Sequence, residues 1–373
     1  MRRRDFLKGS AGIGALAGTG LAGSFGDELT GEVVFNQSPI PMGSTPGKIG
    51  RPVEVVSIAY KGHERPLDSV VQLVDSEGAK GTDIIVLAET WRGLDMNGKS
   101  EEPLDGPAVT AMSALARKHR TYVVCPIDRR DGAHRRNSAV LIDRQGQVAC
   151  VYDKVFPWLP EFRRVPPIDP GQKTVVHQAD FGRVGFAVCF DSFFNEVWQE
   201  LSEQGAELVI YPSDAPGGIL LVAQAANYHY YIVSATHTPD CQVLDITGQE
   251  LIYKTGVDPL ITRVTLDLDR GIYCIDSVDA NGGGIALRDK LLREHPDDVA
   301  QANYIERDGW FVLEARRPGV SARQLARSYG LEELRDFIEH CRQICDHRRG
   351  WVYANRLYQK PLATGRGIRS GGA

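Results

Sequence analysis

Three apolar runs in the chain each close on a side chain able to do chemistry. Ile84-Ile85-Val86-Leu87-Ala88 leads into Glu89, Val151-Tyr152-Asp153 into Lys154, and Val184-Gly185-Phe186-Ala187-Val188 into Cys189. Hydrolysing an unactivated amide needs a nucleophile, a group that moves its proton to the leaving nitrogen, and fixed positive charge at the developing oxyanion. A thiol, a carboxylate and an ammonium make up that set. Taken singly, each has a plainer reading: a strand-end glutamate is usually solvated, a Tyr-Asp-Lys run is usually a sheet edge, and a cysteine after apolar residues is usually inert core. Their joint occurrence, 65 residues from Glu89 to Lys154 and 35 from Lys154 to Cys189, points to one site.

Such a site requires strands that deliver all three side chains to one place. From Val53 onward, short β-branched runs alternate with helical patterns: strands over 53–59, 84–88 and 122–126, helices over 66–77 and 107–119. Strands over 138–142 and 148–153 meet at a Gln145-Gly146 turn, and further strands are expected over 174–177, 184–188, 208–211, 231–235 and 261–266. Helices over 194–204 and 218–227 and a hairpin around Thr247-Gly248 complete an α/β core. So many interleaved strands and helices fit a two-sheet sandwich with helices outside better than one open sheet.

The triad in this chain order resembles the nitrilase, or carbon-nitrogen hydrolase, superfamily, and the likeness runs from about Arg51 to Asp276. Gly205-Ala206-Glu207-Leu208-Val209-Ile210-Tyr211-Pro212-Ser213 resembles the family's Gly-Ala-Glu strand, and Lys154-Val155-Phe156-Pro157-Trp158-Leu159-Pro160-Glu161 the segment in which aliphatic and carbamoyl amidases carry a second glutamate. The resemblance implies an α-β-β-α four-layer sandwich with Cys189 as nucleophile and Glu89 as base. Lys154 and the backbone N–H of Phe190 would hold the oxyanion, and Glu161 would orient Lys154 and the substrate amide. It implies no metal or organic cofactor, a homodimer or larger oligomer, and hydrolysis through a thioester. Trp158 and Phe193 are candidates for the pocket wall, as are Trp91, Arg92 and His229. Cys189 is followed by Phe190 and Asp191 where true nitrilases carry Trp and Glu, so a small amide or N-carbamoyl compound is expected rather than a nitrile. A soluble N-acyltransferase or a noncatalytic binding relative is the alternative on the same fold. The chain departs from the family at Phe194-Asn195-Glu196, where Phe-Pro-Glu is common, and at Gln224-Ala225-Ala226-Asn227, which lacks the charges of Arg-Ala-x-Glu-Asn.

The remaining segments divide the chain. Residues 1–26 resemble a twin-arginine export signal, with Arg3-Arg4-Asp5-Phe6-Leu7-Lys8 ahead of an uncharged Gly/Ala/Leu stretch, which predicts a periplasmic protein. Residues 27–50 read as a linker or arm, 51–276 as the hydrolase domain, and 277–373 as a helical extension with helices over 287–293, 321–329 and 331–345 and a basic tail. A Gln324-to-Leu331 likeness to a helix-turn-helix does not outweigh a net charge of -5, so no nucleic-acid partner is expected. No stretch is expected to span a bilayer in the mature chain. His340, Cys341, Cys345 and His347 lie on two helix stripes and cannot all reach one ion, so buried thiols and surface imidazoles are expected there. Seven cysteines scattered from Cys125 to Cys345 do not form a disulfide framework.

Overall fold

Strands covered on both faces need apolar residues at nearly every position, and the central strands have them: Ile84 to Leu87 and Leu208 to Ser213 are buried throughout. A computed structural model describes residues 40–349 except 41, 64, 276, 277, 280, 281, 306 and 307. The segment read as an export signal, most of the arm and the tail from 350 lie outside the described residues.

In chain order the first half builds β1 (Pro52–Ala59), α1 (Leu67–Gly78), β2 (Ile84–Leu87), α2 (Pro107–His119), β3 (Tyr122–Asp131), β4 (His134–Ile142) and β5 (Val148–Asp153). The second half builds β6 (Val176–Gln178), β7 (Arg183–Phe186), α3 (Asn195–Glu203), β8 (Leu208–Ser213), α4 (Ile219–Tyr228), β9 (Tyr231–Thr236), β10 (Asp240–Leu244), β11 (Glu250–Thr255) and β12 (Leu260–Asp267). They form two six-stranded sheets, ordered β12-β1-β2-β3-β4-β5 and β11-β10-β9-β8-β7-β6. In each, three strands run parallel, β1 to β3 and β7 to β9.

Strand alternation separates the layers. Val53 and Val55 of β1 enter the core between the sheets, with Val184, Phe186 and Ile210 opposite. Val56 and Ile58 turn outward onto Val70, Val74 and Met112 of α1 and α2. Trp198 and Leu221, from α3 and α4, cover the other sheet. The result is the expected α-β-β-α sandwich.

The extension continues with β13 (Gly271–Cys274), the short pair β14 (Val278–Asp279) and β15 (Gly282–Gly283), α5 (Gly284–Glu294), β16 (Val299–Ile305), β17 (Trp310–Ala315), α6 (Ala322–Ser328) and α7 (Leu334–Arg348). The three expected helices are present. With them comes an antiparallel sheet, β13-β17-β16, that helical periodicity did not reveal, whose Phe311 and Leu313 pack in one cluster with Leu291 and Ala326 of the helices. Cys341 and Cys345 are exposed, not buried as expected: their stripe of α7 faces away from that core. Arg323, fully buried, ties the extension to the sandwich by bridging Glu207 at 2.8 Å and Glu333 at 2.7 and 2.9 Å. No helix among the described residues is long and apolar enough to cross a membrane.

Candidate active site

Glu89 follows β2, Lys154 follows β5 and Cys189 opens a 3-10 turn (Cys189–Phe193) after β7. β2 and β5 belong to one sheet and β7 to the other, so the three meet where the two sheets face each other. Glu89 and Lys154 are almost wholly buried. Lys154 Nζ lies 3.0 Å from Glu89 Oε1 and 2.8 Å from Glu161 Oε2. With Cys189 these residues line a pocket of about 190 Å³, whose wall is completed by His63, Thr90, Leu94, Asp95, Trp158, Arg164 and Asp214.

Two buried carboxylates around one ammonium would repel each other unless further donors held them. Asn137 of β4 supplies them, its Nδ2 donating to Glu89 Oε1 at 2.7 Å and to Glu161 Oε1 at 2.9 Å. The backbone N–H of Asp214 donates to Glu89 Oε2 at 2.7 Å, and that of Trp158 to Glu161 Oε2 at 2.6 Å. Burial pushes the Glu89 carboxyl up, but the Lys154 charge and hydrogen bonds from Lys154, Asn137 and Cys189 outweigh it and leave the group below its usual range. Burial would strip Lys154 of its proton; Glu89 and the other anionic groups around it hold its pKa well above the ordinary value.

Burial, reinforced by the Glu89 charge, pushes the Cys189 thiol up to about 12, so the resting group is a thiol. Its backbone has φ +47° and that of Thr90, next to Glu89, φ +38°, a region that non-glycine residues seldom adopt. Asp191 clamps the Cys189 turn. Its carboxylate accepts from Val188 N at 2.8 Å, Phe156 N at 2.9 Å and Tyr152 Oη at 2.8 Å, which joins the Cys189 turn to the Lys154 strand end. Tyr211 Oη donates to the Cys189 carbonyl at 2.7 Å.

Glu89, Lys154, Glu161 and Cys189 thus share one pocket, and Phe190 follows Cys189 in the turn. Trp158 lines the mouth, half exposed. Phe193 is 62% exposed on the turn and is not in the pocket wall. Trp91 is wholly buried behind β2, with Arg92 over its face, and His229 lines a separate cavity beside Glu207 and Arg323. Sequence reasoning missed Asn137, His63, His237 and Asp214. His63 Nε2 is 3.1 Å from Asp214 Oδ1, and its ring lies 3.9 Å from that of His237, which bonds the Glu89 carbonyl. Burial pulls His63 down, yet Asp214 lifts it above the ordinary value, whereas burial and the neighbouring His63 lower His237. Among the described residues no cluster of His, Cys, Asp and Glu could hold a metal ion.

Comparison with known proteins gives a consistent result. The family model "Carbon-nitrogen hydrolase" matches residues 62–255, just over half of the chain, and spans all four candidate residues. A formamidase of Bradyrhizobium diazoefficiens is 31% identical over 134 residues, 34% of this chain and 39% of its own length. An N-carbamoylputrescine amidase of Arabidopsis thaliana is 29% identical over 155 residues, 38% of this chain and 51% of its own. The chain thus spans about half the length of these two curated relatives, or less. In fold, it resembles an amidase from Nesterenkonia sp. (TM-score 0.52, 21% identity, 60% of this chain and 93% of that one) and a Saccharomyces cerevisiae member of branch 10 of the nitrilase superfamily (TM-score 0.51, 18% identity, 60% and 93%).

Proposed function

The chain belongs to the carbon-nitrogen hydrolase family, and on that premise we propose that it is an exported cysteine amidohydrolase that cleaves a small amide or N-carbamoyl compound through a thioester. One observation carries the reading: a single buried ammonium, Lys154 Nζ, sits between Glu89 and Glu161 in the pocket that Cys189 also lines.

Because burial and the Glu89 charge push the thiol up to about 12, its proton must leave as attack proceeds. Glu89 takes that proton while Cys189 Sγ bonds to the carbonyl carbon. Lys154 and the backbone N–H of Phe190 stabilise the oxyanion; one such donor is typically worth roughly 3 kcal/mol of transition-state stabilisation. As the C–N bond breaks, Glu89 passes the proton to the departing nitrogen, leaving an acylated Cys189. Water then loses a proton to Glu89 and attacks the thioester; the C–S bond breaks and the proton returns to the sulfur. Glu161 favours an amide over a nitrile, since an amide NH2 offers protons that a carboxylate accepts and a linear nitrile offers none.

The test is ammonia release across a panel of amides, N-carbamoyl amino acids and matched nitriles, with Cys189→Ala as the blank. Amide turnover that vanishes in the blank supports the reading; faster turnover of the nitrile of a matched pair contradicts the substrate class. Export by the twin-arginine route rests on Arg3-Arg4, and replacing both with lysine should strand the precursor in the cytoplasm. A homodimer or larger oligomer is the accompanying proposal, supported by Phe193, 62% exposed on the turn before α3, and Ile219, 76% exposed at the start of α4; a monomer by light scattering would refute it.

A further inference from the structure

Most of the charged side chains in the pocket wall are already engaged. Glu89 and Glu161 share Lys154, and Asp214 is paired with His63. Asp95 accepts from Asn97 N at 2.6 Å and Ser100 N at 2.5 Å within its own loop. Arg164 is the exception. Its Nη1 donates to the Leu94 carbonyl and lies 3.8 Å from Met96 Sδ, both neutral acceptors. Its Nε is buried without a hydrogen-bond partner, and no carboxylate among the described residues lies within ion-pair distance.

A guanidinium presents a fixed fork of donors suited to a carboxylate, and a half-buried cation left without an anion binds one more strongly than the same group in open water. We propose that Arg164 holds a carboxylate of the substrate, so that the preferred compounds are amides or carbamoyl derivatives bearing a carboxylate remote from the reacting C–N bond. The remoteness follows from charge. Glu89 and Glu161 lie at the buried end and repel a second anion, whereas Arg164 is only half buried, with the half-exposed Trp158 ring beside the opening to cover an intervening methylene chain. This inference rests on the amidohydrolase reading for its substrates, though the binding step it invokes does not require turnover.

The experiment compares succinamate with its neutral methyl ester, methyl succinamate, as amide substrates in the wild type, Arg164→Gln and Arg164→Lys. The wild type is expected to favour succinamate in kcat/KM, and Arg164→Gln to reduce that preference by roughly 30-fold, mainly through KM. Arg164→Lys, which keeps the charge and loses the fork, should fall between. Calorimetric binding of succinamate to Cys189→Ala, and its loss in Cys189→Ala carrying Arg164→Gln, reads the same contact without catalysis. Equal losses for both substrates in Arg164→Gln would make Arg164 a clamp on the 94–96 loop and overturn the proposal, as would a wild-type preference for the neutral amide. Binding that depends on Arg164 with no hydrolysis of either amide would support the carboxylate site and count against the hydrolase reading alone.

Discussion

Asn137 does the least conspicuous work in the site. By donating one NH2 group to both Glu89 and Glu161, it fixes two carboxylates at a spacing that a single lysine alone would leave free to vary. Removing it withdraws a hydrogen bond from ionised Glu89, so the Glu89 pKa should rise. If Glu89 is the base, as proposed, it must be ionised to act, so the acidic limb of the kcat/KM profile should move to higher pH in Asn137→Ala, with kcat reduced about tenfold. A limb that stays in place would show that Asn137 does not set the basicity of Glu89. The four residues at the heart of the site were legible in the sequence because each closes or follows a recognisable run. Asn137 was not. It sits within β4, 48 residues from Glu89 and 24 from Glu161, and nothing local marks a strand asparagine as the hinge of two distant acids.

At the scale of elements, the site depends on strand ends held in place by short loops. Gly171 N donates to the Lys154 carbonyl at 2.8 Å, and a Cβ at residue 171 would lie 2.0 Å from the Asp153 carbonyl oxygen. Backbone cannot swing aside as a side chain can. Gly171→Ala should therefore push the loop off the end of β5, displace Lys154, and lower Tm by several degrees together with kcat/KM, as overpacking of this kind costs roughly 1–3 kcal/mol. Wild-type Tm and kinetics would contradict the role given to this loop. The apolar strands could be read from their periodicity. The β3–β4 hairpin proved longer than expected because polar residues continue it: Arg135 is buried against Asp128 at 2.7 Å, so the ladder extends where hydrophobicity gives no sign. The β16–β17 pair escaped notice for a related reason, since Val299 to Ile305 mixes small and polar residues in no clear alternation.

On the scale of the whole molecule, the extension joins the sandwich through buried charge. Asp269 accepts from Ser321 Oγ at 2.5 Å and Ala322 N at 2.6 Å, and burial pushes its carboxyl up to about 6. A folded pKa above the unfolded value contributes stability that is complete below pH ~4 and is lost as pH rises through about 6. Asp269→Asn should flatten that part of the Tm-against-pH curve, and an unaltered slope would remove Asp269 as its source. None of this coupling could be read from sequence, because Asp269 and Ser321 are 52 residues apart and Arg323 reaches back 116 residues to Glu207. The central claim, that Cys189 carries the acyl group, is tested most directly by intact-protein and peptide mass spectrometry after reaction with an electrophilic amide analogue. The expected result is one adduct, located on Cys189 and absent from Cys189→Ala; an adduct on another cysteine, or undiminished amide hydrolysis by Cys189→Ala, would contradict it.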